Sequence, residues 1–176
     1  MKRNAKSVSP LKGIVSRRVR VYARKGWINA MRIVGIDYGD ARVGLAVSDE
    51  GELLATAAGT VQVTGVNDAV RKCAEQIASL HGELIVCGLP RNMDGSESFR
   101  AEKTRVFGEK LAAATGLPVQ FFDERLTTVE AYTYLNITDY NGSKRRSVID
   151  TLSAQILLQA FLDSHRMSQK NTKNEN

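Results

Sequence analysis

The sequence contains few of the residues that build disulfide-linked or zinc-centred scaffolds. Only two of its 176 residues are cysteine and two are histidine. Cys73 and Cys87 do not form a Cys-x-x-Cys pair, and no histidine cluster lies near them. The sequence therefore argues against a disulfide framework or a structural zinc site, and it fits a reducing cytoplasm. It also lacks any run of about 18 uncharged apolar residues, so no membrane helix is predicted.

Acidic residues are absent from residues 1–30, which carry nine lysines and arginines. Residues 31–165 have the opposite balance, with 13 Lys and Arg against 18 Asp and Glu. The net charge of +6 therefore comes from the ends of the chain and says little about the domain. We interpret residues 1–30 as a flexible basic extension upstream of a natural start at Met31. A nucleic-acid-binding arm and an organelle transit peptide are the alternatives.

Residues 31–165 are predicted to form one domain, followed by a disordered polar tail at 166–176. Short apolar runs predict five strands, and helical spacing predicts four helices. The strands are expected at 32–37, 42–47, 53–63, 84–88 and 119–122, and the helices at 66–80, 98–114, 127–135 and 147–164. Residues 136–144 are predicted to be a polar loop. This order predicts an α/β fold with a mixed five-stranded sheet flanked by helices. The first three strands are antiparallel, and the later strands are parallel to the first.

Three acidic residues fall at the ends of predicted elements. Asp37 ends the first strand, Glu124 follows the last strand, and Asp150 lies near the start of the final helix. If the first and last strands lie near each other, these carboxylates meet at the carboxyl edge of the sheet, where open α/β sheets bind ligands. Three close carboxylates repel one another unless a cation is bound, and Mg²⁺ prefers oxygen ligands. We therefore predict that these acids are catalytic and hold Mg²⁺ or Mn²⁺ against a nucleic-acid phosphate.

Each acid also has a purely structural interpretation. Asp37 could close the turn that follows it. Glu124 could form an ion pair with Arg125 or Lys103, and Asp150 lies three residues after Ser147, which is the spacing of a capping box. The occurrence of all three acids at element ends around one sheet edge favours the metal site.

Glycine and basic residues near the same edge are candidate contacts for phosphate. Glycine permits close approach of the backbone, arginine offers a forked donor, and a helix N-terminus binds anions. Ordinary turns, a solvated basic loop, and helix capping by Ser96 or Ser98 are the alternatives. The candidates are Gly39, Arg42, Arg91, Asn92, Ser96, Arg125, Lys144, Arg145 and Arg146.

Four ordered motifs resemble the YqgF family, whose members are also described as RuvX or RuvC-like Holliday junction resolvases. The motifs lie within 35–49, 88–97, 123–128 and 150–159, and the resemblance covers about residues 31–165. It implies an RNase H-like fold and a bacterial cytoplasmic nuclease that trims the 5′ end of pre-16S rRNA. By position, it implies that Asp37, Glu124 and Asp150 are the metal-holding acids. The partner would be pre-16S rRNA or a pre-ribosomal particle, and the protein a monomer or weak dimer.

Three other functions are compatible with parts of the pattern. Resolution of branched DNA is one, although Ser153 lies where RuvC-type resolvases carry another aspartate. An ATP-binding phosphotransferase is suggested by the glycines around Asp37, but that class needs a second lobe for which the chain has no room. The last is a nucleic-acid-binding module without catalysis.

Overall fold

The computed structural model describes residues 31–91, 94, 96, 98–123 and 143–174, with the backbone alone for 143–150 and 169–174. The five strands are β1 (Ile33–Tyr38), β2 (Arg42–Ser48), β3 (Ala55–Gln62), β4 (Leu84–Leu89) and β5 (Val119–Asp123). The described helices are α1 (Val66–Ser79), α2 (Phe99–Thr115) and α3 (Ser143–Asn174).

The strands form one mixed sheet in the order β3-β2-β1-β4-β5. β2 is antiparallel to both β1 and β3, whereas β4 is parallel to both β1 and β5. The predicted fold class is therefore confirmed. The condition that the first and last strands lie near each other is met only indirectly, since β4 lies between them. The carboxyl ends of β1, β4 and β5 nevertheless meet at one edge of the sheet.

Alternating side chains of β1 supply the two cores on either side of the sheet. Ile33 packs in the core beneath α3, together with Leu158 and Leu162. Val34 and Ile36 point to the opposite core, which α1 and α2 cover. All six residues of β4 are buried, as expected for a central strand covered on both faces.

Helix α3 is longer than the sequence analysis predicted. It begins at Ser143, so the prediction of a loop at 136–144 is wrong for Ser143 and Lys144. It continues to Asn174, so the prediction of a disordered tail is wrong up to that residue. The segment after His165 contains neither proline nor glycine, and Arg166 pairs with Asp163 one turn earlier. A polar composition was therefore not a sufficient reason to end the helix.

Several predictions fall on residues that the structure does not describe. The basic extension 1–30, the predicted helix 127–135 and residues 136–142 lie outside the described residues. Within the described part of the chain, no helix is long and apolar enough to cross a membrane.

Candidate active site

Asp37 lies in β1, one residue before its carboxyl end, and is half-buried. Its neighbour on β2 is Gly44, and the register of β1 with β4 places Gly88 beside it on the other side. Gly88 pairs in turn with Phe122 of β5. Asp37 is thus held on a rigid strand that has a paired neighbour on each side, at the edge where open α/β sheets bind ligands.

The end of β5 brings a second carboxylate to this edge. Asp123 ends β5, and its Oδ2 lies 3.9 Å from Nε of Arg91, which follows β4. Because strands are about 4.8 Å apart, β1 and β5 are separated by about 10 Å across β4. Glu124 directly follows Asp123 in the sequence but lies outside the described residues. Two acidic positions are therefore adjacent at the point where β5 ends.

Contacts along α3 show that it runs in the direction opposite to β1. The hydroxyl of Thr151 lies 2.6 Å from that of Thr60, which pairs with Gly44 in the same row as Asp37. Farther along the helix, the Gln159 side chain accepts a 2.9 Å hydrogen bond from the backbone N–H of Ala55, at the other end of the sheet. The beginning of α3 therefore lies at the carboxyl edge of the sheet.

This direction places the backbone of position 150 near Asp37. Position 150 directly precedes Thr151 and lies one helical turn before Ala154. The Ala154 carbonyl oxygen is 3.2 Å from where a Cβ on Gly35 would stand, and Gly35 is two residues before Asp37. The backbone thus brings two of the three predicted acids to one edge, while the Asp150 side chain lies outside the description.

The predicted phosphate contacts are only partly described. Gly39 makes a tight turn, in which its N–H donates a 3.0 Å hydrogen bond to the carbonyl oxygen of Arg42. Arg42 is half-buried at the start of β2, and Arg91 is exposed beside the end of β4. Ser96 is exposed, and its N–H and Oγ both donate to Asp94. Asn92 and Arg125 lie outside the described residues, and Lys144, Arg145 and Arg146 are described only as backbone of α3.

Structural alternatives weighed in the sequence analysis have mixed outcomes. Ser98, not Ser96, is the N-cap residue of α2, and it makes no capping hydrogen bond through its side chain. Lys103, which was considered as an ion-pair partner of Glu124, pairs with Asp40 at 2.9 Å. His165 directly follows the helix predicted at 147–164, but it lies inside α3, stacked on Phe161.

Sulfur and imidazole ligands are not available at the carboxyl edge. Both cysteines are buried, and burial raises the pKa of the Cys73 thiol to about 12 and that of Cys87 still further. His81 follows α1, and burial lowers the pKa of His165. Among the described residues, no three His, Cys, Asp or Glu side chains are grouped closely enough to hold a metal. The predicted ligand set is mostly outside that search, since it includes Glu124 and Asp150.

The raised thiol pKa values predict that both cysteines resist modification in the native chain. A thiol reagent at pH 8 is expected to react with neither Cys73 nor Cys87 until the protein unfolds, because only the thiolate is nucleophilic. The chain unfolded in guanidinium is the control and should show both thiols. Rapid reaction of a native thiol would contradict the burial described for the core.

Sequence reasoning did not find two contacts near this edge. These are the Thr60–Thr151 hydroxyl pair, 91 residues apart in sequence, and the Lys103–Asp40 ion pair, 63 residues apart. No local pattern signals such pairs, because each depends on how α3 or α2 packs against the sheet. The one available signal was the short distance in sequence of Asp40 from Asp37.

Comparison with known proteins gives the family. The family model RuvX, described as Holliday junction resolvase, matches residues 31–164. The chain belongs to the RuvX family. RuvX relatives named "Putative pre-16S rRNA nuclease" include one from Pelotomaculum thermopropionicum, which is 44% identical over 76% of this chain and 88% of its own length. Another, from Myxococcus xanthus, is 42% identical over 77% of this chain and 90% of its own length.

Solved structures show the fold of this RuvX chain. Thermus thermophilus RuvC, solved with a Holliday junction substrate, matches with a TM-score of 0.51 at 16% identity, over 76% of this chain and 96% of RuvC. A second structure of RuvC from the same organism gives the same TM-score at 14% identity. The chain therefore has the RNase H-like fold that the sequence resemblance implied.

Proposed function

We propose that this RuvX protein is a metal-dependent nuclease that hydrolyses phosphodiester bonds and matures the 5′ end of pre-16S rRNA in the cytoplasm. The observation that carries the proposal is the meeting of Asp37, the end of β5 and the start of α3 at one sheet edge. Relatives that carry the name of a pre-16S rRNA nuclease support the choice of substrate.

The residues at this edge fit a hard divalent ion. Asp37, Glu124 and Asp150 would hold it, and they offer only oxygen donors, which Mg²⁺ and Mn²⁺ accept. Histidine and cysteine ligands, which would favour zinc, lie elsewhere among the described residues. When bound, such ions polarise a phosphate oxygen and lower the pKa of water, so that hydroxide forms near neutral pH.

The residues of the chain would orient the substrate strand. Asp37 is fixed by strands on both sides, which limits its movement relative to a bound phosphate. Arg42 and Arg91 lie at the starts or ends of strands along the same edge, and each can donate a forked pair of hydrogen bonds to a phosphate. These positions favour binding of a backbone rather than recognition of a base sequence.

The charge of the domain favours a substrate presented by a particle. Residues 31–165 carry more acidic than basic residues, whereas unaided affinity for nucleic acid depends on lysine and arginine contacts. We infer that a pre-ribosomal particle contributes to positioning the precursor. Processing of the precursor within particles should therefore be faster than processing of the same RNA alone.

The test is cleavage of a 5′-extended 16S precursor by the full chain with Mg²⁺ or Mn²⁺. We expect the mature 5′ end to form with either metal and not with EDTA, and to form more readily in pre-ribosomal particles than in naked RNA. A four-way DNA junction is the parallel substrate, because the family description names Holliday junction resolvase. Cleavage of the junction in preference to both RNA substrates would replace the proposed function with junction resolution.

A further inference from the structure

A second concave surface lies beside the candidate active site, on the opposite face of the sheet. It is a cleft of about 410 Å³ between the end of β1 and the first turns of α2. Tyr38 and Asp40 line one side, and Phe99, Glu102 and Lys103 line the other. None of these five residues is among the predicted catalytic or phosphate-binding residues. We define this surface as the Phe99 cleft.

We propose that the Phe99 cleft binds one unstacked base of the single-stranded RNA whose backbone occupies the carboxyl edge. This inference rests on the proposed nuclease function and adds a second contact to the same substrate. The ligand class is a nucleobase that carries an exocyclic amino group.

The aromatic ring at the cleft is unusually available for stacking. Phe99 is 71% exposed, the highest fraction among the exposed large apolar residues that the structure describes. Nζ of Lys103 lies 5.1 Å from the centre of the Phe99 ring, so the ammonium group helps to orient it. Bases stack on such rings without regard to sequence, because every base has a π-face.

The opposite wall of the cleft is rigid. The Tyr38 ring stacks on the buried Phe107 ring, with 4.3 Å between centres and 13° between planes. The Tyr38 phenol can also donate a hydrogen bond. A base that enters the cleft would thus meet a fixed aromatic wall and a hydroxyl donor, and it would need little rearrangement of the protein.

The charges in the cleft favour a base over a phosphate. Asp40 and Glu102 bring two carboxylates, whereas Lys103 brings one ammonium group and already bonds Asp40 at 2.9 Å. The resulting excess of negative charge repels a phosphate. Carboxylates accept hydrogen bonds and donate none, so they complement the amino group of guanine, adenine or cytosine.

The position of the Phe99 cleft relative to Asp37 explains how one RNA strand could contact both Asp37 and the cleft. Tyr38 directly follows Asp37 in β1, and adjacent side chains of a strand point to opposite faces. An RNA strand with its backbone at Asp37 would therefore pass over the edge of the sheet, and a nearby base would contact Tyr38 and Phe99. Single-stranded ends permit this path because their bases are free to leave a stack.

The experiment measures binding without cleavage. An oligoribonucleotide containing 2-aminopurine is titrated with the full chain in EDTA, and the fluorescence of the base reports stacking. We expect quenching on binding with the parent chain. Phe99→Leu should bind roughly 5- to 150-fold more weakly and lose the quenching, whereas Phe99→Tyr should retain both, because stacking on an aromatic ring contributes about 1–3 kcal/mol per base.

Leu54→Ala is the matched control, since Leu54 is 66% exposed and lies just before β3. It should bind like the parent chain. Equal quenching by the parent and Phe99→Leu would overturn the proposal. The proposal would also be overturned if Phe99→Leu bound the oligonucleotide like the parent but no longer associated with pre-ribosomal particles. That result would assign the surface to a protein partner. A DNA oligonucleotide of the same sequence distinguishes the sources of the base, and tighter binding of the DNA would overturn the assignment to RNA.

The binding assay and the cleavage assay test the two proposals independently, so that the failure of one can be distinguished from the failure of the other. Quenching that depends on Phe99, in a chain that cleaves no precursor with Mg²⁺ or Mn²⁺, would support the cleft and refute the nuclease proposal. Cleavage of the precursor without such quenching would support the nuclease proposal and refute base binding in the Phe99 cleft. As a further check, Glu102→Gln should reduce the preference for guanine over hypoxanthine, which lacks the amino group at C2.

Discussion

Asp37→Asn is expected to reduce cleavage of the 5′-extended precursor by at least about a hundredfold. Replacing residues that only orient metal ligands already lowers metal affinity or activity by about 10- to 100-fold, and loss of a direct ligand charge should exceed this effect. The amide is nearly the same size as the carboxylate, so the strand environment of Asp37 should accept it. The measurement is the initial cleavage rate with Mg²⁺, together with the unfolding temperature of each protein.

Asp163→Asn provides the matched control for this prediction. Asp163 is on α3, but it pairs with Arg166 beyond the position where Gln159 bonds the backbone at Leu53, just before β3 and far from the carboxyl edge. The same change of charge there should leave cleavage within about twofold, since surface ion pairs contribute little. Mg²⁺ affinity, measured by calorimetry, should also fall in Asp37→Asn but not in Asp163→Asn. If Asp37→Asn cleaved and bound Mg²⁺ like the parent, Asp37 would have only the turn-closing role considered from the sequence.

The strands and the position of Asp37 could be predicted because their signals are local. The apolar runs of β1 and β4 reflect burial on both faces, and a glycine at position 116, where φ is 71°, is typical of a helix end. The turn after β2 is also a local feature, since the Asp49 carboxylate accepts hydrogen bonds from the N–H groups of Leu53 and Leu54.

The features that escaped prediction depend on contacts between distant segments. Insertion of β4 between β1 and β5 follows from packing of the whole sheet, and no residue in β1 or β5 signals it. The Phe99 cleft likewise arises because α2 begins beside Tyr38, some 60 residues away in sequence. A solvent-exposed phenylalanine looks like a core residue in the sequence until the face on which it lies is known.

Gly35→Ala is expected to destabilise the protein and to impair cleavage together. A Cβ at position 35 would stand 2.7 Å from Cβ of Leu158 and 3.2 Å from the carbonyl oxygen of Ala154. Both atoms belong to the rigid part of α3, so relief requires a shift of the helix away from β1. Overpacking of this kind costs about 1–3 kcal/mol of unfolding free energy. That corresponds to a fall of roughly 2–12 °C in the unfolding temperature.

The same shift should affect chemistry, because α3 carries position 150. A displacement of about 1 Å in a catalytic group can reduce a rate by about a hundredfold, and Gly35 lies two residues from Asp37. We therefore expect a tenfold or greater fall in the cleavage rate at a temperature where the variant remains folded. Thermal unfolding and the cleavage rate, measured on the same preparation, separate the two effects.

Gly108→Ala distinguishes displacement of α3 from simple crowding of the core. A Cβ at Gly108 would stand 2.7 Å from Cζ of Phe121, which is the far end of a side chain on the α2 face of the sheet. The ring must shift, which costs little at the far end of a flexible side chain, and alanine favours the helix by about 1 kcal/mol over glycine. Stability and cleavage should therefore change little. If Gly108→Ala and Gly35→Ala impaired cleavage equally, the loss would come from general disturbance of the core rather than from the contact that holds α3 against β1.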